Sequence, residues 1–153
     1  MVLVDAAPFE ASDELKRFEQ SVEGAGAIVS FSGYVRDQAG DQKVLSLELQ
    51  AYSPLTETSI EEAVSEANKR WPLIGVHIRH RIGKIAPGEA IVFTAAASAH
   101  RRAAFEAADF LMDYLKTHAV FWKKEVTPEG EHWIEPRSED YDDQARWEQT
   151  NGS

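Results

Sequence analysis

Lys116-Thr117-His118-Ala119-Val120-Phe121-Trp122-Lys123 is the stretch on which the rest of the chain turns. Before it, Phe105, Ala108, Leu111, Met112 and Leu115 recur at helical spacing and predict a long helix with one buried stripe. After it, residues 120–126 and 131–136 flank Thr127-Pro128-Glu129-Gly130, a turn signal that predicts a hairpin. A lysine closing a helix and a lysine entering a strand can meet in one pocket. They can equally be two solvated surface lysines, as most lysines are. Spacing alone leaves both readings open.

The remaining 3.6- and 2-residue periodicities extend this to an α+β domain. A short helix is expected from Ser12-Asp13-Glu14 to about Gln20, and a strand over 27–35 that leads into Arg36 and a loop containing Gly40. Residues 44–52 alternate again and are expected to pair with the preceding strand as a hairpin. Ser53-Pro54 reads as the cap and first turn of a helix that stops before Pro72. Residues 76–82 alternate with His77 and His80 on opposite faces, which argues against a metal pair. Residues 90–97 are apolar on both faces and are expected to form the central strand. Ser98 is the expected cap of the long helix, which puts His100 and Arg101 near a helix N-terminus, where free N–H groups favour an anion. Trp122 and Trp133 are expected to pack across the hairpin as core aromatics rather than to stack on a ligand.

Composition narrows the function. The chain has 153 residues, enough for one domain with a real core, and 43% of them are hydrophobic. It contains no cysteine, so no thiol nucleophile, thiolate metal site or disulfide is built on it. The net charge of −10 argues against a nucleic-acid-binding face. Much of the acid lies near the end, at Glu139, Asp140, Asp142 and Asp143. A basic excess stands in the middle, at Arg79, His80, Arg81, Lys84, His100, Arg101 and Arg102. Basic residues within an acidic protein suit a small anionic ligand, though scattered solvated charges would give the same count. Arg36, at a strand end, is either a ligand group or a surface partner of Asp37 or Asp41. No membrane-length apolar run is present, and the start lacks the basic and apolar regions of a signal peptide, so a cytoplasmic protein is expected.

In order and wording, several segments resemble the large, catalytic subunit family of molybdopterin synthase. They are Gly26-Ala-Ile-Val-Ser-Phe-Ser-Gly-Tyr-Val-Arg36, Leu47-Glu-Leu-Gln-Ala-Tyr52, His80-Arg-Ile-Gly-Lys-Ile-Ala-Pro-Gly-Glu89, Ser98-Ala-His-Arg101, Phe105-Glu-Ala, Met112-Asp-Tyr-Leu-Lys116, Phe121-Trp-Lys-Lys-Glu125 and Gly130-Glu-His-Trp133. Together they cover roughly residues 24–137. The resemblance implies an α/β hammerhead-type single domain over 1–137, with a mainly antiparallel sheet, packed helices and a C-terminal hairpin; the polar, acidic residues 138–153 read as a mobile tail with a short helix expected around Trp147. The resemblance implies a sulfurtransferase that converts cyclic pyranopterin monophosphate to molybdopterin. Both dithiolene sulfurs come from the C-terminal thiocarboxylate of a small ubiquitin-like partner, and no cofactor or metal is needed. It also implies a homodimer with one small subunit at each end, a heterotetramer.

Position by position, the resemblance makes Lys116 the principal catalytic lysine and Lys123 the second. His100 and Arg101 become the substrate-phosphate contacts, serving the neighbouring protomer's site. Tyr34, Val35 and Arg36 become the first binding loop, with Arg36 the hydrogen-bond donor. Lys124 and Glu125 complete the second binding segment, and Arg137 adds charge at the rim. Val120 departs from the family's usual proline before Phe-Trp-Lys, which is expected to loosen the local backbone. Two other readings compete: a non-catalytic module that only holds a pterin-like or nucleotide anion, and an adaptor for a ubiquitin-like tail.

Overall fold

Ala90–Ser98 forms strand β8, and its composition dictates how the rest packs. Ala95, Ala96 and Ala97 are fully buried, so backbone from both sides can approach closely. In this computed structural model, which describes residues 1–134 and 138–148, β8 lies inside a four-stranded sheet. Its neighbours are β2 (Ala27–Tyr34) on one side and β6 (Leu73–Arg81) on the other, both antiparallel. A fourth strand, β1 (Val2–Asp5), runs parallel to β6. Helix α1 (Ala11–Ser21) covers one face, with Phe18 and Leu15 against Phe93, Ala95 and Ala97. Helices α2 (Leu55–Arg70) and α3 (Arg101–Thr117) cover the other, with Ile60, Ala63, Ala67, Phe110, Leu111 and Leu115 against Val76, Ile78 and Val92.

A second, wholly antiparallel sheet sits beside the first. It is built from β5 (Ser46–Ala51), β7 (Gly83–Ile85), β9 (Phe121–Thr127) and β10 (Gly130–Ile134), in the order β10-β9-β5-β7. Its core is Val35, Val44, Leu47, Leu49 and Ile85. Phe121 packs against both cores and joins them. A last helix, α4 (Ser138–Glu148), lies on α3. The α+β architecture, the central place of β8, the stop before Pro72 and the turn at 127–130 are as expected.

Four expectations are corrected. β5 does not form a hairpin with β2: it pairs with β7 and β9, while β2 takes the edge of the first sheet. The loop between β2 and β5 instead closes a small hairpin of its own, β3 (Gln38–Ala39) on β4 (Gln42–Lys43), with Gly40 at φ 62° making the turn. Ser53 is not a helix cap: Pro54 holds that position, and the Ser53 hydroxyl donates to Glu57 Oε1 at 2.7 Å. Ser98 is still in β8 and donates to the Pro72 carbonyl at 2.8 Å, leaving His100 as the N-cap of α3. Phe105 is 56% exposed, because the sheet-facing stripe of α3 runs through Ala103, Ala104, Ala107, Ala108 and Leu111. Small residues there let the helix approach β8.

Gly26 is required where β8 hands over to α3. A Cβ at Gly26 would stand 2.0 Å from the Ala99 carbonyl oxygen, inside any tolerable contact. This close approach fixes where the chain turns towards His100.

Candidate active site

Lys116 lies in the last turn of α3, exposed, where the helix dipole favours a cation. The connection from α3 to β9 is only three residues long, and it is pinned. The buried Thr56 hydroxyl donates to the Val120 carbonyl and accepts from the Tyr52 amide at 2.8 Å. The Val120 amide donates to Ser59 Oγ at 3.4 Å. Valine here therefore loses proline's ring constraint but gains a bond that proline has no hydrogen to make. Thr56→Val should cost about 1–3 kcal/mol, since it strands two partly buried backbone groups, the Tyr52 amide and the Val120 carbonyl. Chemical denaturation checks this; an unchanged midpoint would show that the tie carries no energy.

Alternation along β9 then decides which lysines meet. Phe121, Lys123 and Glu125 share one face, opposite Ala51, Leu49 and Leu47 of β5. Lys123 stands beside Ile134 of β10. It is half-buried, and its pKa is lowered to about 8: burial does most of this, the Lys116 charge adds to it, and Arg36 contributes. Asp140 and Glu125 oppose the shift. The fold therefore brings Lys116, Lys123 and Arg36 into one electrostatic neighbourhood.

Other residues of the expected site divide clearly. Val35 is 5% exposed; its amide donates to the Glu89 carbonyl at 3.0 Å and its carbonyl accepts from Gly88 at 2.8 Å. Its side chain is core, and its backbone anchors the exposed Tyr34 and Arg36 on either side. Lys124 points to the opposite face from Lys123. It bridges Glu48 and Glu131, each at 3.3 Å, and lies 5.7 Å from the centre of the Trp133 ring. Trp122 and Trp133 do pack edge to face, 5.8 Å between centroids, but on this outer face and 52% and 60% exposed. The expectation of core aromatics is thus corrected: strand alternation puts them on the side away from Phe121. Arg137 lies outside the described residues.

His100 and Arg101 are exposed and stand at the other end of α3 from Lys116. A helix of 17 residues separates its ends by about 24 Å at 1.5 Å per residue, so one chain does not unite the two groups. Arg79 and Arg81, from the basic excess at 79–81, do not line the site either. Arg79 pairs with the buried Glu14 at 2.6 Å and with Asp5 at 3.4 Å, and Arg81 pairs with Glu89 at 2.7 Å. Both belong to the α1 side of the first sheet.

Two contributors were missed. His80 projects from β6 to the α2–α3 side, is 8% exposed, and stacks on Phe121 with 4.1 Å between centroids. Its Nδ1 lies 3.0 Å from the Arg81 carbonyl and donates to it. Burial lowers its pKa to about 4 against that bond, and the Lys123 and Lys116 charges lower it further. An uncharged imidazole thus backs the lysine pair. Strand alternation placed His80 opposite His77, and adjacency to Phe121 was the piece no local pattern carries. Asp140, on α4, was legible only as one acid of a tail.

The family model for the MoaE protein matches residues 4–118. The chain belongs to the MoaE family, the catalytic subunits of molybdopterin synthase. It is 47% identical over 148 residues to the molybdopterin synthase catalytic subunit of Pseudomonas aeruginosa, covering 97% of this chain and 99% of that protein. The corresponding subunit of Caulobacter vibrioides is 49% identical over 149 residues, covering 97% and 98%. Among solved structures, the molybdopterin biosynthesis MoaE protein of Burkholderia ambifaria superposes with a TM-score of 0.82 at 40% identity and covers 97% of each chain. MoaE membership agrees with what the residues build: an α+β enzyme domain with paired lysines at a sheet seam.

Proposed function

We propose that this MoaE chain takes cyclic pyranopterin monophosphate to molybdopterin, inserting two dithiolene sulfurs. The donor is the C-terminal thiocarboxylate of a small ubiquitin-like partner, and the working assembly is a heterotetramer built on a homodimer in the cytoplasm. The observation that carries the reading is the convergence of Lys116 and Lys123, with Lys123 near neutral pKa and Arg36 beside them. Both reactants are anionic, one through phosphate and one through thiocarboxylate, and a cluster of cations suits them. The chain has no cysteine, consistent with sulfur arriving on a partner.

In this mechanism each thiocarboxylate sulfur forms a new carbon–sulfur bond in place of a carbon–oxygen bond of the substrate, one oxygen remaining on the opened phosphate ester and the other leaving as water, and cleavage of each acyl–sulfur link by water releases the partner's glycine as carboxylate. Lys116 moves a proton or contacts the acyl group. Lys123, as ammonium, stabilises negative charge as it develops. His100 and Arg101, remote from Lys116 in their own chain, hold the substrate phosphate in the neighbouring protomer's site. Tyr34, Arg36 and Glu125 bind around the pterin, Lys124 fixes β9 through its two carboxylate bridges, and Arg137 adds charge at the rim.

Reconstitution tests this. The chain, mixed with thiocarboxylated small subunit and cyclic pyranopterin monophosphate, should yield dithiolene product by mass spectrometry. Unchanged substrate in the presence of bound partner would refute it.

A further inference from the structure

The segment that reads as an acidic tail folds as α4 and is clamped. Trp147 Nε1 donates to Asp113 Oδ2 at 2.7 Å, and its ring meets Trp71 and Phe110 edge to face at 5.5 and 5.7 Å. Arg146 bridges Asp113 at 2.7 Å and Asp109 at 3.2 Å. The far end of α4 is thus fixed to α3. Its near end is fixed by the chain: β10 finishes at Ile134, directly opposite Lys123, and α4 begins at Ser138. The first turn of α4, which carries half-buried Asp140, therefore begins within about 14 Å of chain from Ile134.

Acids in a first helical turn are favoured by the helix dipole alone, and that would account for Glu139 and Asp140 equally. Burial separates them: Glu139 is exposed and Asp140 is half-buried. Asp140 acts on Lys123, and among the charges that do so its carboxylate outweighs that of Glu125, which shares a strand with the lysine. Among the described residues, the charged and titratable groups that bear on Lys123 are Lys116 from α3, Arg36 from the segment after β2, Glu125 from β9, Asp140 from α4 and the buried His80 from β6.

We propose that α4 is part of the active site and that Asp140 is a positioning residue there, the resting counter-charge that holds the Lys123 ammonium until an anionic group of the substrate or partner displaces it. The role in turnover rests on the sulfur-transfer reading above; the pull of the Asp140 charge on Lys123 does not. In the resting site Asp140 partly offsets the repulsion from Lys116 and Arg36. When phosphate or thiocarboxylate enters, the lysine exchanges one anion for another without being left uncompensated in a half-buried place.

The test follows the Lys123 side chain by NMR across pH in the free full-length protein, assigned by its loss in Lys123→Arg. Asp140→Asn should lower the titration midpoint by about half to one pH unit, since an opposing charge close by favours the ammonium. Asp140→Glu should restore most of the shift, and Glu139→Gln should leave the midpoint in place. In reconstituted turnover, Lys123 acts as ammonium, so the rate falls as pH rises through its pKa. The alkaline limb in Asp140→Asn should move down by the same amount. An unmoved midpoint in Asp140→Asn, or an equal shift in Glu139→Gln, overturns the proposal. A shifted midpoint with no product from the native protein would sink the sulfur-transfer reading and leave the counter-charge standing.

Discussion

Lys116→Ala should cut turnover by about 10²–10⁴-fold, the range expected when a positioned proton-transfer group is removed. The fold should survive, because Lys116 is exposed and outside both cores. Partner binding and substrate binding should largely persist, so the loss falls on kcat. One side effect has a definite sign. Lys116 helps to push the Lys123 pKa down, so its removal lets that pKa rise from about 8 towards the ordinary lysine value. The alkaline limb of whatever activity remains should therefore move up. Lys116→Arg sharpens the result: arginine keeps the charge beside Lys123 but does not release its proton. If Lys116 moves a proton or attacks the acyl carbon, arginine fails as alanine does. Native turnover in Lys116→Arg would reduce Lys116 to a charge, and native turnover in Lys116→Ala would remove it from the chemistry.

Arg101→Ala and Lys116→Ala, each inactive alone, should together regain about a quarter of native activity once protomers exchange, the share of intact sites in random two-fold pairing. The reason is the length of α3. Its ends are about 24 Å apart, too far for His100 and Arg101 of one protomer to reach its own lysine pair. A mixed dimer holds one site with both defects and one with neither. Subunit exchange followed by the product assay measures this directly. No recovery from a verified mixed dimer would mean that His100 and Arg101 do not complete a neighbour's site.

Legibility in the sequence followed the reach of each signal. Period-two and period-3.6 patterns placed β8, β6, β9 and α3, because those elements bury whole faces. Pairing was less legible. Leu47 and Leu49 announce a strand but not which neighbour it takes, and hydrogen bonding to β9 rather than β2 is settled only when two sheets share Phe121. Serine caps misled at both Ser53 and Ser98, since a serine before a helix can also spend its hydroxyl on a side chain or on a distant carbonyl. In the site, spacing left Lys116, Lys123 and Arg36 open between ligand groups and surface charges, and the fold brings their charges to bear on one another. His80 and Asp140 reach it from a different sheet and from the last helix, by packing that no short window encodes. Arg79 and Arg81 looked like ligand groups, and their carboxylate partners Glu14 and Glu89 became visible only in three dimensions.

Phe121 belongs to both cores and sits two residues before Lys123. The address of the lysine is thus written jointly by two hydrophobic interiors. Repacking Leu47 or Ile85 in one of them, or Leu115 in the other, changes where that ring rests, and the ring is what His80 stacks on. Anyone engineering this scaffold for heat tolerance by filling out either interior is therefore also shifting the Lys123 backbone, and the two have to be adjusted together.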